Sequence, residues 1–192
     1  MQLAETRGRE DPAEGGDTAE VTRQVEDAIA LLEAAGDHAG LARGWRILTN
    51  IHFVTCAYSD ATRTAERMVE EARLAGDRPL ELRLLPGLAT CAQLGPMPVA
   101  TAIGVVNGVL EELEGDRKAE AYTQRALAHL EAMRGRADVA RGLYQASYDT
   151  LMDLGWRFDA ALTATIASGP VELIAGDVEA AERELRRGHD AL

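Results

Sequence analysis

Long stretches rich in alanine and leucine alternate along this chain with short polar corners that contain glycine. Alanine and leucine lose little conformational freedom in a helix, and the β-branched, aromatic-rich alternation that is typical of strands is missing. The pattern therefore predicts an all-α protein. We predict nine helices, at residues 18–35, 39–56, 60–75, 79–94, 98–114, 117–134, 137–154, 157–175 and 177–191.

The corners share a recurring sequence. The dipeptide Gly-Asp begins at Gly36, Gly76 and Gly115, and Gly155-Trp156 takes the next equivalent place. Glycine closes a helix because it lacks a Cβ atom and readily adopts the left-handed conformation. The aspartate that follows can accept hydrogen bonds from the free N–H groups of the next helix. The sequence thus predicts one helix end and one helix start at steps of about 40 residues.

A second series of corners divides each of these steps in two. Gly135 and Gly176 mark corners in mid-repeat, and a small residue lies just past each mid-repeat position, at Ala61, Ala102, Ala140 and Ala181. A small side chain lets two antiparallel helices cross closely. One unit is therefore a pair of antiparallel helices, and repeated pairs of this size predict an α-solenoid.

The two ends of the chain differ from the repeats. Residues 1–17 carry many charges and few apolar side chains, so we expect a flexible leader followed by a repeat domain over 18–192. The sequence ends at RRGHDAL, inside the last predicted helix and without a capping repeat. Either the chain is a piece of a longer protein or this helix packs on another molecule, and we expect a homo-oligomer formed through it.

The composition limits the cellular environment and the classes of partner that we expect. Hydrophobic residues make up 46% of the 192 residues and aromatic residues only 4%, while the formal net charge is −12. An acidic chain repels phosphates, so we expect no direct contact with nucleic acid. No secretion signal or membrane span stands out, and Cys56 and Cys91 have no metal-ligand spacing. We expect both cysteines to be buried core residues and the protein to be soluble and cytoplasmic, without membrane contact.

Three segments resemble the tetratricopeptide repeat. In GWRILTNIHFVTCAYSDATRTAERM, the aromatic, apolar and corner positions of that repeat are matched by Trp45, Leu48, Tyr58 and Ala61. QRALAHLEAMRGRADVARGLYQAS matches at Leu127, Gly135, Ala140 and Tyr144, and TIASGPVELIAGDVEAAERELRRG matches at Gly169, Gly176, Ala181 and Leu185. The resemblance covers residues 39–192, with a degenerate unit at 80–114. It implies a solenoid whose first helices line a concave groove.

The period of about 40 residues exceeds the 34 of the usual tetratricopeptide repeat. AIALLEAAGD, GPMPVATAI and AGDVEAAERELRRG are more similar to the helical-repeat region of large actinobacterial ATPase- and cyclase-type regulators. That resemblance implies a role in regulatory input or assembly.

Nothing in the sequence indicates catalysis. It has no GxxxxGK[ST] phosphate loop, no GxSxG nucleophile elbow and no HExxH metal motif. Adjacent pairs such as Glu70-Glu71 diverge by about 100° on a helix and are typical of solvated faces. We therefore expect a protein that is not an enzyme and that needs no cofactor or metal.

The resemblance names the residues that would line the groove. They are Arg43, Arg46, Asn50 and Phe53 in the first well-formed repeat, Tyr122, Arg125, His129 and Ala132 in the next, and Thr163, Ile166, Pro170 and Leu173 in the last. Some family members grip a peptide's terminal carboxylate from the positions of Arg46 and Asn50. Leu88 and Ala126 stand where further polar and basic partners would be needed.

Three readings of these residues stay open at this stage. The first is a non-catalytic scaffold that binds a peptide or partner domain in the groove. The second is a sensor that binds an anionic small molecule in the same groove. In the third, Arg43 and Arg46 only pair with acidic side chains of the neighbouring helix, as surface arginines commonly do.

Overall fold

The computed structural model describes residues 15–191, and over that range the backbone forms nine helices and no strand. The helices are α1 (Gly15–Ala35), α2 (His38–Val54), α3 (Tyr58–Leu74), α4 (Arg78–Leu94), α5 (Val99–Glu112), α6 (Arg117–Met133), α7 (Ala137–Asp153), α8 and α9 (Val178–Asp190). Helix α8 consists of two α-helical segments, Arg157–Thr163 and Gly169–Ala175, joined by a π-helical turn at Ala164–Ser168.

The all-α prediction is confirmed, and every predicted helix end lies within one turn of an observed one. Helix α1 begins at Gly15, so the end of the expected leader 1–17 belongs to this helix. The rest of that leader, residues 1–14, lies outside the described residues. Within 15–191, no helix combines the length and the apolar character needed to cross a bilayer.

The corners confirm the predicted roles of glycine and aspartate. Positive φ angles between 65° and 95° occur at Gly36, Gly76, Gly115, Gly135, Gly155 and Gly176. Four aspartate side chains accept a hydrogen bond of 2.8–3.1 Å from the N–H group three residues later, namely Asp37, Asp77, Asp116 and Asp177. Each bond satisfies an N–H group that has no partner inside its helix.

One corner places a cysteine where the others have glycine. Cys56, between α2 and α3, has a φ of 59° and is exposed, whereas Cys91 is buried. The expectation of two core cysteines is therefore wrong for Cys56, because residue 56 lies at a corner and not on the packed face of a helix. A residue with a Cβ atom in this conformation costs about 1–2 kcal/mol.

The chain divides into two compact units, Met1–Pro96 and Met97–Leu192. In the first unit α1 packs on α2, α2 on α3 and α3 on α4. In the second unit successive helices from α5 to α9 pack on one another, and α6 also contacts α8. Packing between neighbours in sequence agrees with a helical repeat. The single repeat domain over 18–192 stays a prediction.

Alanine provides much of the packed surface in both units. The four alanines predicted from the corners are all buried, namely Ala61, Ala102, Ala140 and Ala181. In the first unit, a core of Val25, Ile29, Leu41, Ile47 and Leu48 is covered by the half-buried ring of Trp45. In the second, Tyr144 and Val171 pack among Ala128, Ala132, Ala140 and Ala167. Small side chains thus let the helices approach closely.

A buried carboxylate ties α7 to α8. Glu172 is 2% exposed, and the Arg141 guanidinium donates to both of its oxygens, with Nε–Oε1 at 2.9 Å and Nη2–Oε2 at 2.6 Å. The Tyr144 hydroxyl donates to Oε1 at 2.7 Å. The hydrogen bonds from Arg141 hold the pKa of Glu172 below its ordinary value, although burial acts in the opposite direction. The charge is therefore kept inside the unit by matched donors.

The π-helical turn accommodates one extra residue in α8. The corner glycines around α8 carry numbers 155 and 176, which differ by 21, whereas those around α6, 115 and 135, differ by 20. The Gly169 N–H group bonds to the carbonyl of Ala164, five residues earlier, as a π-helical turn requires. Pro170 has no N–H group and cannot continue the α-helical ladder at this point.

Two glycines bring α8 and α9 into close contact. A Cβ atom at Gly188 would lie 2.5 Å from Thr165 Cγ2 and 2.9 Å from the Ala161 carbonyl oxygen. A Cβ atom at Gly169 would lie 2.8 Å from Leu185 Cδ2. The last helix can therefore reach its position only because these two residues have no side chain.

We expect Cys56→Gly to raise the free energy of unfolding by roughly 0.5–1 kcal/mol, measured by urea denaturation. The substitution removes the left-handed strain but adds freedom to the unfolded chain, so the gain is smaller than the strain. Cys56→Ala keeps the Cβ atom and should change stability by less than about 0.5 kcal/mol. If Cys56→Ala stabilises as much as Cys56→Gly, the thiol and not the backbone is responsible.

A second pair of variants tests the contact between α8 and α9. Gly188→Ala should lower the free energy of unfolding by about 1–3 kcal/mol, because the methyl group would overlap Thr165 and Ala161. Gly142→Ala is the matched control in α7, where a Cβ atom meets nothing within 4 Å. Alanine there should stabilise the helix by roughly 0.5–1 kcal/mol. Equal effects of the two variants in thermal melts would contradict the close approach.

Candidate functional site

The residues that the sequence predicted as groove-lining lie on α2 in the first unit and on α6 and α8 in the second. Arg43, Arg46, Asn50 and Phe53 all lie on α2 of the first unit, and Tyr122, Arg125 and His129 all lie on α6 of the second. Steps of three and four residues place each set along one stripe of its helix.

The α2 stripe offers little for the binding of a ligand. Asn50 is exposed, while Arg43, Arg46 and Phe53 are half-buried. Arg43 donates to the Ala39 carbonyl of its own helix at 3.4 Å and forms no ion pair with any described carboxylate. Phe53 packs edge-on against Tyr58, with ring centroids 5.9 Å apart. Phe53 therefore supports the corner between α2 and α3.

The other side of α2 is used for packing within the first unit. The guanidinium of Arg67, on α3, lies 5.7 Å from the centre of the Trp45 ring. His38 Nδ1 lies 2.7 Å from Oε2 of the buried Glu71, and Arg67 Nη2 lies 3.3 Å from its Oε1. These contacts join α2 to α3, so we assign His38 and Trp45 to the structure of the unit and not to a ligand site.

The α6 stripe is a column of alternating aromatic and cationic side chains. The Arg125 guanidinium lies over the Tyr122 ring, with Cζ 4.4 Å from the ring centre. On the other side of the column, Lys118 Nζ is 5.6 Å from the centre of Tyr122 and 3.1 Å from the centre of Trp156, at the start of α8. The column of Trp156, Lys118, Tyr122 and Arg125 is called the stacked column below.

Arg125 is the central charge of this surface. The side chain is half-buried, and it forms no ion pair within 4.0 Å with a carboxylate of residues 15–191. Burial lowers the pKa of its guanidinium, while the nearby Tyr122 and Asp159 oppose this shift. Arginine nevertheless stays protonated. The α6 surface thus holds a poorly solvated positive charge that no acidic side chain neutralises by direct contact.

His129 and Tyr122 are uncharged beside Arg125 at neutral pH. Burial lowers the pKa of His129 below its ordinary value, and the hydrogen bond to the Arg125 backbone acts in the opposite direction. His129 Nδ1 lies 3.1 Å from that carbonyl oxygen, so Nδ1–H donates and Nε2 is left as an acceptor. Burial, with a smaller effect of Asp159, raises the pKa of the Tyr122 hydroxyl.

Helix α8 flanks the stripe, but with a different register from the one predicted. Thr163 is fully buried and its hydroxyl donates to the Asp159 carbonyl, so its assignment to the groove is wrong. Ala132 is buried as well, whereas Ile166 and Leu173 are exposed and Pro170 is half-buried. The prediction treated Thr163, 41 residues after Tyr122, as the equivalent position of the last repeat. The extra residue of α8 lies after Thr163, in the π-helical turn, so before that turn the equivalent position comes one residue earlier than predicted.

Lys118 and Trp156 were not among the groove-lining residues predicted from the sequence. Lys118 lies one turn before Tyr122 on the same stripe, a spacing that the sequence contains. Trp156 follows a corner glycine at a position where four of the other corners have aspartate, and the residue is 45% exposed. The sequence could not indicate that these side chains stack, because they come from helices that are neighbours only in the folded unit.

Within the described chain, no three His, Cys, Asp or Glu residues are grouped as a metal site would require. No protein-family model and no curated protein matches the chain, so the similarity to the tetratricopeptide repeat rests on the quoted residues alone. A guanidinium without an ion pair, a neutral imidazole and two aromatic rings form a surface suited to an oxyanion with an apolar or planar neighbour.

The lowered pKa of His129 predicts how stability depends on pH. Its folded-state pKa lies below the unfolded value, so protonation opposes folding, and its contribution to stability is present at pH 7 and lost as the pH falls below 6.5 towards the folded pKa. We expect His129→Gln to reduce the loss of unfolding free energy between pH 7 and pH 5. The matched control is His189→Gln, at an exposed position of α9. An equal pH dependence in the wild type and in His129→Gln would contradict the burial effect.

Proposed function

We propose that this chain is a non-catalytic helical-repeat domain of tetratricopeptide type, a right-handed α-solenoid that binds an acidic segment of a partner protein. The binding surface that we propose is the α6 stripe with the flanking start of α8. The single observation that carries the proposal is Arg125, which is half-buried and has no ion pair within the described chain. A carboxylate from a partner would compensate this charge.

The buried carboxylates elsewhere in the chain support a role in binding and not in catalysis. The buried carboxylate of Glu172 is saturated by Arg141 and Tyr144, and that of Glu71 pairs with His38 and Arg67. These groups are committed to holding helices together. The chain has a net charge of −12, but the stacked column carries two cations, Lys118 and Arg125, whose charge is complementary to that of an acidic partner. Regulatory input, as in the similar actinobacterial regulators, is part of the same proposal.

A small anionic molecule is the second candidate for this surface. The specific observation in its favour is the compactness of the stacked column, in which two cations contact the same Tyr122 ring. A small molecule with two or more carboxylates could bind such a site without any protein partner. Titration with citrate, compared with titration with an acidic peptide, separates the two candidates. A peptide is expected to bind more tightly because it also covers the exposed apolar residues of α8.

Arg125→Met tests the proposal because methionine keeps the length of the side chain and removes the charge. We expect the affinity for a labelled peptide of alternating glutamate and leucine to fall about tenfold or more, as is typical of a lost charge-assisted hydrogen bond. The melting temperature should change little, because Arg125 forms no ion pair within residues 15–191 and methionine keeps the apolar length of the side chain.

The control for this variant is Arg186→Met, in the same unit. Arg186 is exposed and pairs with Glu182 one turn away, as surface arginines commonly do. Neither affinity nor stability should change in this variant. A lower melting temperature of Arg125→Met with unaltered peptide affinity would show that Arg125 is structural, and the proposed surface would then be wrong.

A further inference from the structure

The stacked column holds Arg125 in a particular way. Its guanidinium lies with Cζ 4.4 Å from the centre of the Tyr122 ring, a distance typical of stacking. The five N–H donors of a guanidinium point outward in its own plane. No group of residues 15–191 accepts a hydrogen bond from the Arg125 guanidinium, so these donors stay available, whereas an ion pair with a carboxylate would use them. Tyr122 can stabilise the charge without occupying its hydrogen-bonding edge.

Lys118 and Trp156 fix the ring on which Arg125 lies. The Lys118 ammonium contacts Trp156 at 3.1 Å and Tyr122 at 5.6 Å, so it bridges the two rings. Tyr122 also packs against the buried cluster of Ala121, Leu151 and Ala160. The platform under Arg125 is thus anchored in the core on one side and by cation–π contacts on the other. A long arginine side chain held in this way loses less conformational entropy when it binds a ligand.

We infer that Tyr122 is a positioning residue, which holds the Arg125 guanidinium in place with its donor edge free for the carboxylate of the acidic segment, while Lys118 and Trp156 hold the Tyr122 ring. This inference rests on the proposed function, because it concerns how the same surface meets its ligand. It differs from a purely structural role, in which Tyr122 would only fill space beside Ala160. The two roles predict different coupling between Tyr122 and Arg125.

A double-mutant cycle measures this coupling. The probe is the labelled peptide of alternating glutamate and leucine, and the full chain is used throughout. We expect Tyr122→Leu to lower its affinity about five- to tenfold in the wild-type background, as loss of the ring frees the guanidinium. In the Arg125→Met background the same substitution should change the affinity less than about twofold, because there is no charge left to position. Tyr122→Phe keeps the ring and should retain most of the affinity.

A matched control comes from a second stacked pair in the same unit. Arg187 lies 3.6 Å from the centre of the Tyr148 ring, and Tyr148 packs against the same buried cluster as Tyr122. Tyr148→Leu should therefore have a comparable effect on the melting temperature and no effect on peptide affinity. Near-ultraviolet circular dichroism of every variant confirms that the fold is retained before binding is compared.

The outcomes separate this inference from the proposed function. If Tyr122→Leu weakens binding equally in both backgrounds, or does not weaken it at all, Tyr122 does not act through Arg125 and the inference is overturned while the proposed surface stands. If the wild-type chain binds neither this peptide nor citrate, the proposed function itself is overturned. A loss confined to the background that contains Arg125 supports the inference.

Discussion

The left-handed backbone at the corners is the constraint on which the other features of the structure depend. Six glycines adopt it, and four aspartates then begin the next helix through their side chains. Because the corners recur at nearly constant intervals, α2, α3, α4, α6 and α7 are all 17 residues long. Helices of equal length present the same face to their neighbours, which lets one packing pattern repeat. Cys56 shows that the corner is kept even where the residue is unfavourable for it.

Close packing of small residues follows from this regularity. Buried alanines form much of the helix contacts, and Gly169 and Gly188 extend the same principle to α8 and α9. Contacts between alanine and glycine residues bury little apolar surface per residue. Hydrogen bonds between buried polar groups therefore also stabilise the units. Arg141, Tyr144 and Glu172 illustrate this, because every oxygen of the buried carboxylate has a donor.

Arg125 stands apart from these satisfied groups. Arg141 donates to the carboxylate of Glu172 in the same unit, whereas Arg125 lies over the Tyr122 ring and forms no ion pair within residues 15–191. A half-buried cation without an ion pair is costly to desolvate, and perturbed ionisable groups cluster at functional sites. This difference between two arginines of one unit is the physical basis of the proposed function.

The sequence by itself determined the helical class, the number and ends of the helices and the buried alanines near the corners. These features depend on residues that are adjacent in the chain: a glycine that turns, an aspartate that caps and a small residue at a fixed distance from both. It also identified Tyr122, Arg125 and His129 as one stripe, since helical periodicity is a local property. Only the tertiary structure decided that Thr163 is buried, that Cys56 is exposed and that the extra residue of α8 forms a π-helical turn. It alone brought Trp156 into one column with Lys118 and Tyr122. A contact between side chains of different helices depends on how the helices pack, and packing is not encoded in any single stretch of residues.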